Sequence, residues 1–252
     1  MYFEVNGIKT FCSNGSGVLR TGQPSVIFIH GAGLDHTTFA LPARYFARHH
    51  YNVYALDLPG HGRSAGSPLV SITEMATWTK DAMDQLEILH PAIVGYSMGS
   101  LVALQFAVSF PAQLRSLVLV GTSIPMPVSD PLLNAARDNH HDAIDMTNTW
   151  SHSRVAQLGG NENPGMNMLM NGQRLLESAQ ENLLFIDLKA CNDFTGSRVF
   201  WAIALGALPA SLLFVGGLRE LQTASLVASL PLLGVYVILG ISVIRMLKEF
   251  AE

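Results

Sequence analysis

The sequence predicts an α/β domain on a mostly parallel sheet, followed by two membrane-crossing helices. Three observations carry that expectation. Short apolar runs alternate with stretches of helical periodicity through the first two hundred residues, the imprint of strand–helix–strand units. Two of those runs end in glycine-rich turns, His30-Gly31-Ala32-Gly33 and Gly95-Tyr96-Ser97-Met98-Gly99. Near the C-terminus, Val199–Leu218 and Ser225–Ile244 each hold twenty residues without a charge, enough to cross a hydrocarbon layer of ~30 Å at about 1.5 Å per residue.

The elements follow in order. Met1 to Val5 alternates like a strand, which argues against a cleaved leader. Ser25–Ile29 is a buried strand running into the first glycine-rich turn, and Phe39–Arg48 reads as the next helix. Asn52–Leu58 is a second strand, Ile72–Leu89 a helix, and Ala92–Val94 a short strand entering the second turn. Ser100–Ser109 is a helix stopped by Phe110-Pro111, and Leu117–Val120 is another apolar strand.

The bulk chemistry narrows the function classes. Of the 252 residues, 49% are hydrophobic and 13% charged, against ~25% charged in ordinary soluble domains. A net charge of −4 gives no footing for nucleic acid. Two distant cysteines, Cys12 and Cys191, lack metal-ligand spacing and read as reduced thiols. No metal or cofactor is implied.

Chemistry concentrates at Gly95-Tyr96-Ser97-Met98-Gly99. A G-x-S-x-G between strand and helix is a nucleophile elbow. The serine sits on a tight turn, small residues on both sides let backbone pass close, and the helix start turns its positive end toward a developing oxyanion. Ser97 is therefore the candidate nucleophile, and the backbone N–H groups of Ala32 and Met98 are the candidate oxyanion donors. His30 reads as structural because it lies on the oxyanion loop. Asp57 to Ser64 (DLPGHGRS) reads as a structural turn anchored by Asp57 and Arg63, and His61 within it as non-catalytic.

HGAG, DLPGHGRS and GYSMG, in this order, resemble the α/β-hydrolase superfamily over residues 1–194. Within it they are similar to small esterases, lactonases and proline-iminopeptidase-like enzymes. The resemblance implies a hydrolase core over residues 1–123 and a helical cap over 124–195 that shapes the substrate pocket. Asp187 to Phe194 looks like the end of that cap. It implies a small ester, lactone or amide as substrate. The sequence then departs from the family, whose triad acid and histidine follow the cap on the final strands. Here Gly196-Ser197-Arg198 and the apolar runs come next, and no histidine follows His152. An unassisted hydroxyl is a poor nucleophile. His140, His141 and His152 remain as substitute bases, although solvated surface is their ordinary place. The expectation is a core with its final strands missing and activity orders of magnitude below an intact relative.

Residues 197–248 resemble the last two spans of the betaine/carnitine/choline transporter family, through Arg198 before Phe200-Trp201, Gly216-Gly217-Leu218, Leu221-Gln222 and Leu230-Pro231. Two terminal spans cannot build the inverted repeats that transport needs. As a transmembrane hairpin they would enter the membrane through residues 199–244. Ala202, Gly206 and Ala210 would form a small-residue face for helix association. Lys189, Arg198, Arg245 and Lys248 lie outside the pair and only Arg219 lies between its members, so the cation bias puts the hydrolase part in the cytoplasm. Two readings stay open: an impaired, membrane-anchored serine hydrolase, or a non-catalytic chimera of two coding segments joined near residues 194–198.

Overall fold

The computed structural model describes residues 1–160 and 167–195. Its six strands lie in the order β1-β2-β4-β3-β5-β6, with β1 at Tyr2–Val5, β2 at Ile8–Ser13, β3 at Ser25–Ile29, β4 at Asn52–Leu56, β5 at Ala92–Tyr96 and β6 at Ser116–Val120. The first two pairings, β1 with β2 and β2 with β4, are antiparallel. From β4 through β3 and β5 to β6 the sheet is parallel, as the alternating pattern predicts.

Strands covered on both faces read as unbroken apolar runs, and β3 is such a strand. Its side chains alternate between two packed layers. Val26 and Phe28 meet Phe39 and Ala43 at the start of α1 (Ala40–Arg48). Ile27 and Ile29 join Met75 and Met83 of α2 (Ile72–Gln85) and Leu101 and Phe106 of α3 (Met98–Ser109). At the sheet margin, Val118 and Val120 of β6 stay about half exposed.

Several boundaries move from the sequence expectation, each for a local reason. The structure adds the strand β2 to the elements read from the sequence. It pairs with β1 across Asn6-Gly7, both at positive φ, the hairpin turn that Asn-Gly favours. A 3₁₀ turn at His36–Phe39, capped by Asp35, precedes α1. The strand β4 stops at Leu56 because the Asp57 side chain turns inward to accept N–H groups from His36 and Arg63. The helix α2 starts on a Ser71 cap that accepts from Glu74 N–H. It ends at Gln85 because Glu87 takes a left-handed φ of 52°, leaving Leu89 in solvent.

After β6 come α4 (Asp130–Arg137), α5 (Asp142–Trp150), α6 (Arg154–Gln157), α7 (Met168–Ser178) and α8 (Leu183–Asp193). Leu132, Ala136 and Ala143 join the main core together with Leu188, Ala190, Cys191 and Phe194 from α8 and its end. Among the described residues no helix is long and apolar enough to cross a membrane. The two apolar runs, with Ala202, Gly206 and Ala210, lie outside the described residues.

Candidate functional site

Ser97 stands between β5 and α3 with φ 51° and ψ −119°, a region that costs a non-glycine residue of order 1–3 kcal/mol and persists only where the surroundings enforce it. Those surroundings are backbone. A Cβ on Gly95 would fall 2.1 Å from Gly99 O, and one on Gly99 would fall 2.1 Å from Ile29 O. The motif's two glycines are therefore needed for close approach between β5, α3 and the end of β3. Ser97 N–H donates to Val120 O at 2.9 Å, and Ser97 O accepts from Ser100 N–H at 2.8 Å. The Ser97 side chain is half buried.

The first glycine-rich turn lies against this elbow, because a Cβ on Gly31 would be 3.2 Å from Ser97 Cβ. Ala32 and Met98 are both buried. Among the described residues neither backbone N–H has an acceptor in the protein. Buried amides are ordinarily paired, so two open donors on the loops around one serine mark a place where a ligand oxygen fits.

His30 is fully buried, and its ring is used on both sides. Nδ1–H donates to Gly31 O at 2.9 Å and Nε2 accepts from Leu58 N–H at 3.2 Å, which requires the neutral ring. Burial, reinforced by neighbouring His61, pushes its pKa down to about 4. Asp57 accepts from His36 and Arg63 N–H groups and from the His36 ring. Burial opposes its charge, but those donors hold its pKa below the usual carboxylate value. Ser64 Oγ–H donates to Asp57 O and accepts from Phe11 N–H. DLPGHGRS is therefore an anchored turn, as its sequence suggests. Ligand atoms of Asp35, His36 and Asp57 lie within 4.8 Å of one another, but the oxygens of Asp57 are already filled by N–H donors.

Among the described residues Ser97 Oγ is hydrogen-bonded to no histidine. His140 pairs with Asp142, and His141 with Asp145 and Glu177, all at exposed positions. His152 Nδ1–H donates to Asn148 O. Hydrogen bonds that the His141 ring donates to Glu177 and then to Asp145 raise its pKa. Surface cavities of about 340 and 190 Å³ lie at Arg44–Arg48 and at Gly33–Arg63, and Ser97 lines neither.

Sequence reasoning missed Asp187. It is fully buried on α8 and accepts from His61 Nε2 and from Gly33 N–H, each at 2.8 Å. The one signal was an acid embedded between Leu183-Leu184-Phe185-Ile186 and Leu188.

Residues 24–161 match the family model of the alpha/beta hydrolase fold, and residues 187–252 match that of the betaine/carnitine/choline family transporters. A dihydrolipoyllysine-residue acetyltransferase component of an acetoin cleaving system from Cupriavidus necator is 39% identical over 124 residues, covering 47% of this chain and 31% of that protein. A pimeloyl-[acyl-carrier protein] methyl ester esterase from Chromobacterium violaceum is 38% identical over 104 residues, covering 40% of this chain and 37% of that one. The chain thus spans well under half the length of these relatives. A thermophilic esterase from Thermogutta terrifontis superposes with a TM-score of 0.64 at 18% identity, covering 79% of this chain and 75% of its own, a likeness of fold.

Proposed function

Since this chain belongs to the alpha/beta hydrolase fold family, we propose that it carries a serine-hydrolase centre for a small ester, lactone or amide. Ser97 is the nucleophile, and the N–H groups of Ala32 and Met98 receive the oxyanion. The observation that carries this reading is a left-handed serine between two buried turns whose amides at 32 and 98 lack acceptors. Ser97 Oγ adds to the substrate's acyl carbon, the carbonyl electrons collect on oxygen facing the two amides, and the leaving alkoxide or amine takes a proton as the acyl-serine forms. Water then releases the acid. Fixed donors of this kind supply about 3–4 kcal/mol of barrier lowering each in well-studied cases.

The centre is impaired. Its hydroxyl has no imidazole partner among the described residues, so its proton leaves to water and the first step is slow. Residues 1–123 form the core and 124–195 a cap over the substrate. Residues 197–248 form a hairpin that anchors the chain in the membrane through 199–244, with the hydrolase part on the cytoplasmic side. Ala202, Gly206 and Ala210 serve helix association there. The esterase relative and the transporter-family match at 187–252 support these two halves respectively.

A second reading is a non-catalytic chimera, favoured by that same transporter match beside a hydrolase body. Labelling of the full chain with a fluorophosphonate separates the two. A hydrolase centre labels at Ser97, orders of magnitude more slowly than an intact family member, and Ser97→Ala abolishes it. A folded chain that takes up no probe over many hours overturns the hydrolase reading in favour of the chimera. Resistance to alkaline carbonate extraction checks the anchor, and release into the supernatant overturns it.

A further inference from the structure

We propose that Asp187 is a positioning residue for the oxyanion loop, a buried latch by which α8 fixes the Ala32–Gly33 peptide, the unit immediately after the Ala32 N–H; this rests on the reading of that amide given above.

Three chain segments meet at one carboxyl oxygen. Asp187 Oδ2 accepts the N–H of Gly33, the residue after Ala32, and the Nε2–H of His61 from the DLPGHGRS turn. The partners are 154 and 126 residues away in sequence, so the contact exists only in the folded chain. His61 Nδ1–H donates in turn to Pro59 O at 3.0 Å. Both ring nitrogens thus face acceptors, and only the doubly protonated ring satisfies both. Burial works against that charge, but the charge and hydrogen bond of Asp187, then the Pro59 carbonyl, carry the His61 pKa above its ordinary value. The other titratable groups acting on this cluster are His30, whose ring centroid lies 4.6 Å from that of His61, Asp57 on the same turn, and Cys191 one turn along α8.

Asp187 Oδ1 is buried with no partner among the described residues, and a buried carboxyl left half unsatisfied is a liability that an apolar residue would avoid. What the liability secures is the backbone at position 33. Gly33 holds a left-handed φ of 67°, and Leu176 and Leu184 press on it so closely that a Cβ would lie 2.9 and 3.2 Å from their side chains. The latch bonds the Gly33 N–H at this clamped turn and so fixes the peptide after Ala32, while the peptide before it is held through Gly31 O, which accepts from His30 Nδ1–H and Leu34 N–H. Without it Ala32 keeps the anchor on one side and loses the one on the other, so its N–H is held less rigidly toward the oxyanion, and such donors act only when preorganised.

The test uses the full chain, with Asp187→Ala and the isosteric Asp187→Asn. Asp187→Ala is expected to lower the maximal rate of fluorophosphonate labelling at Ser97 at least tenfold while leaving the half-saturating probe concentration unchanged. Asp187→Asn, whose amide oxygen still accepts from Gly33, is expected to stay within about threefold of the parent. Histidine-labelled NMR should show His61 titrating above its ordinary value in the parent and not in Asp187→Asn, and the Gly33 amide resonance should move in Asp187→Ala. An Asp187→Ala chain that keeps its fold and labels at the parent rate overturns the proposal. So does a Gly33 resonance indifferent to the substitution. If the parent itself never labels, the nucleophile reading fails, and the Gly33 and His61 resonances still decide the latch. If Asp187→Ala unfolds, hydrogen exchange of the Gly33 amide in the parent decides it: slow exchange is expected, and exchange at the rate of an exposed amide overturns the latch.

Discussion

At the ends of β3 and β5 the chain is held by backbone against backbone. Ile29 O and Gly99, or Gly95 and Gly99 O, approach so closely that no side chain fits between them. The helices after β6 are held by scattered side chains. Leu132, Ala136, Leu176 and Leu188 are buried, whereas Trp150, Val155 and Leu158 are largely exposed. The difference teaches where tolerance lies. A region fixed by main-chain contact has almost no permissible substitutions, while a helical layer fixed by a few apolar contacts and one buried polar latch can vary widely around those points. Two neighbouring histidines mark the boundary: His30 is neutral and bonded only within the sheet-end loops, and His61 reaches across to α8 through Asp187.

The sharpest way to break the comparison is a single methyl group. Gly99→Ala places a carbon on Ile29 O and forces β3 from α3, so urea denaturation should show a loss of about 3 kcal/mol or more, at the upper end of overpacking costs. A loss under about 1 kcal/mol would mean that the backbone contact is softer than drawn.

An effect of intermediate size comes from pH, because the two histidines titrate with opposite sign. His30 has a folded pKa of about 4 against 6.5 unfolded. The unfolded chain binds the proton first, so stability falls as pH drops from about 6.5 toward 4. The pKa of His61 is raised, so its contribution is fully present below about 6.5 and is lost as pH rises through its folded value. Unfolding free energy measured from pH 4 to 9 should therefore peak between the two limbs. Asp187→Asn should flatten the alkaline limb and leave the acid limb in place. An unchanged alkaline limb would assign that limb to other groups.

The smallest effects belong to the exposed histidines of the helical layer. His140→Ala and His141→Ala should each leave the urea midpoint essentially unchanged, because exposed ion pairs contribute little. Neither should alter labelling at Ser97, and a large drop in either variant would identify a base supplied from the helices.

The transporter-family match begins at residue 187, yet residues 187–194 pack into the hydrolase core. Asp187 bonds Gly33, and Leu188, Cys191 and Phe194 lie in the main apolar cluster. The hydrolase body therefore extends structurally at least to Phe194, close to where the sequence pattern itself changes character.

The sequence by itself determined the parallel sheet, the elbow at Ser97 and the turn at Gly31–Gly33, because short-range sterics write these into adjacent residues: apolar runs of strand length, and small residues where backbones must touch. It also carries the Asn6-Gly7 hairpin, whose signal is as local. Only the tertiary structure decided that His61 and Asp187 share a hydrogen bond and that α8 bonds the loop beside Ser97 through Gly33. A hydrogen bond between residues 126 positions apart leaves no periodicity in the chain. It comes into being when packing removes water from both partners and leaves them only protein groups to bond.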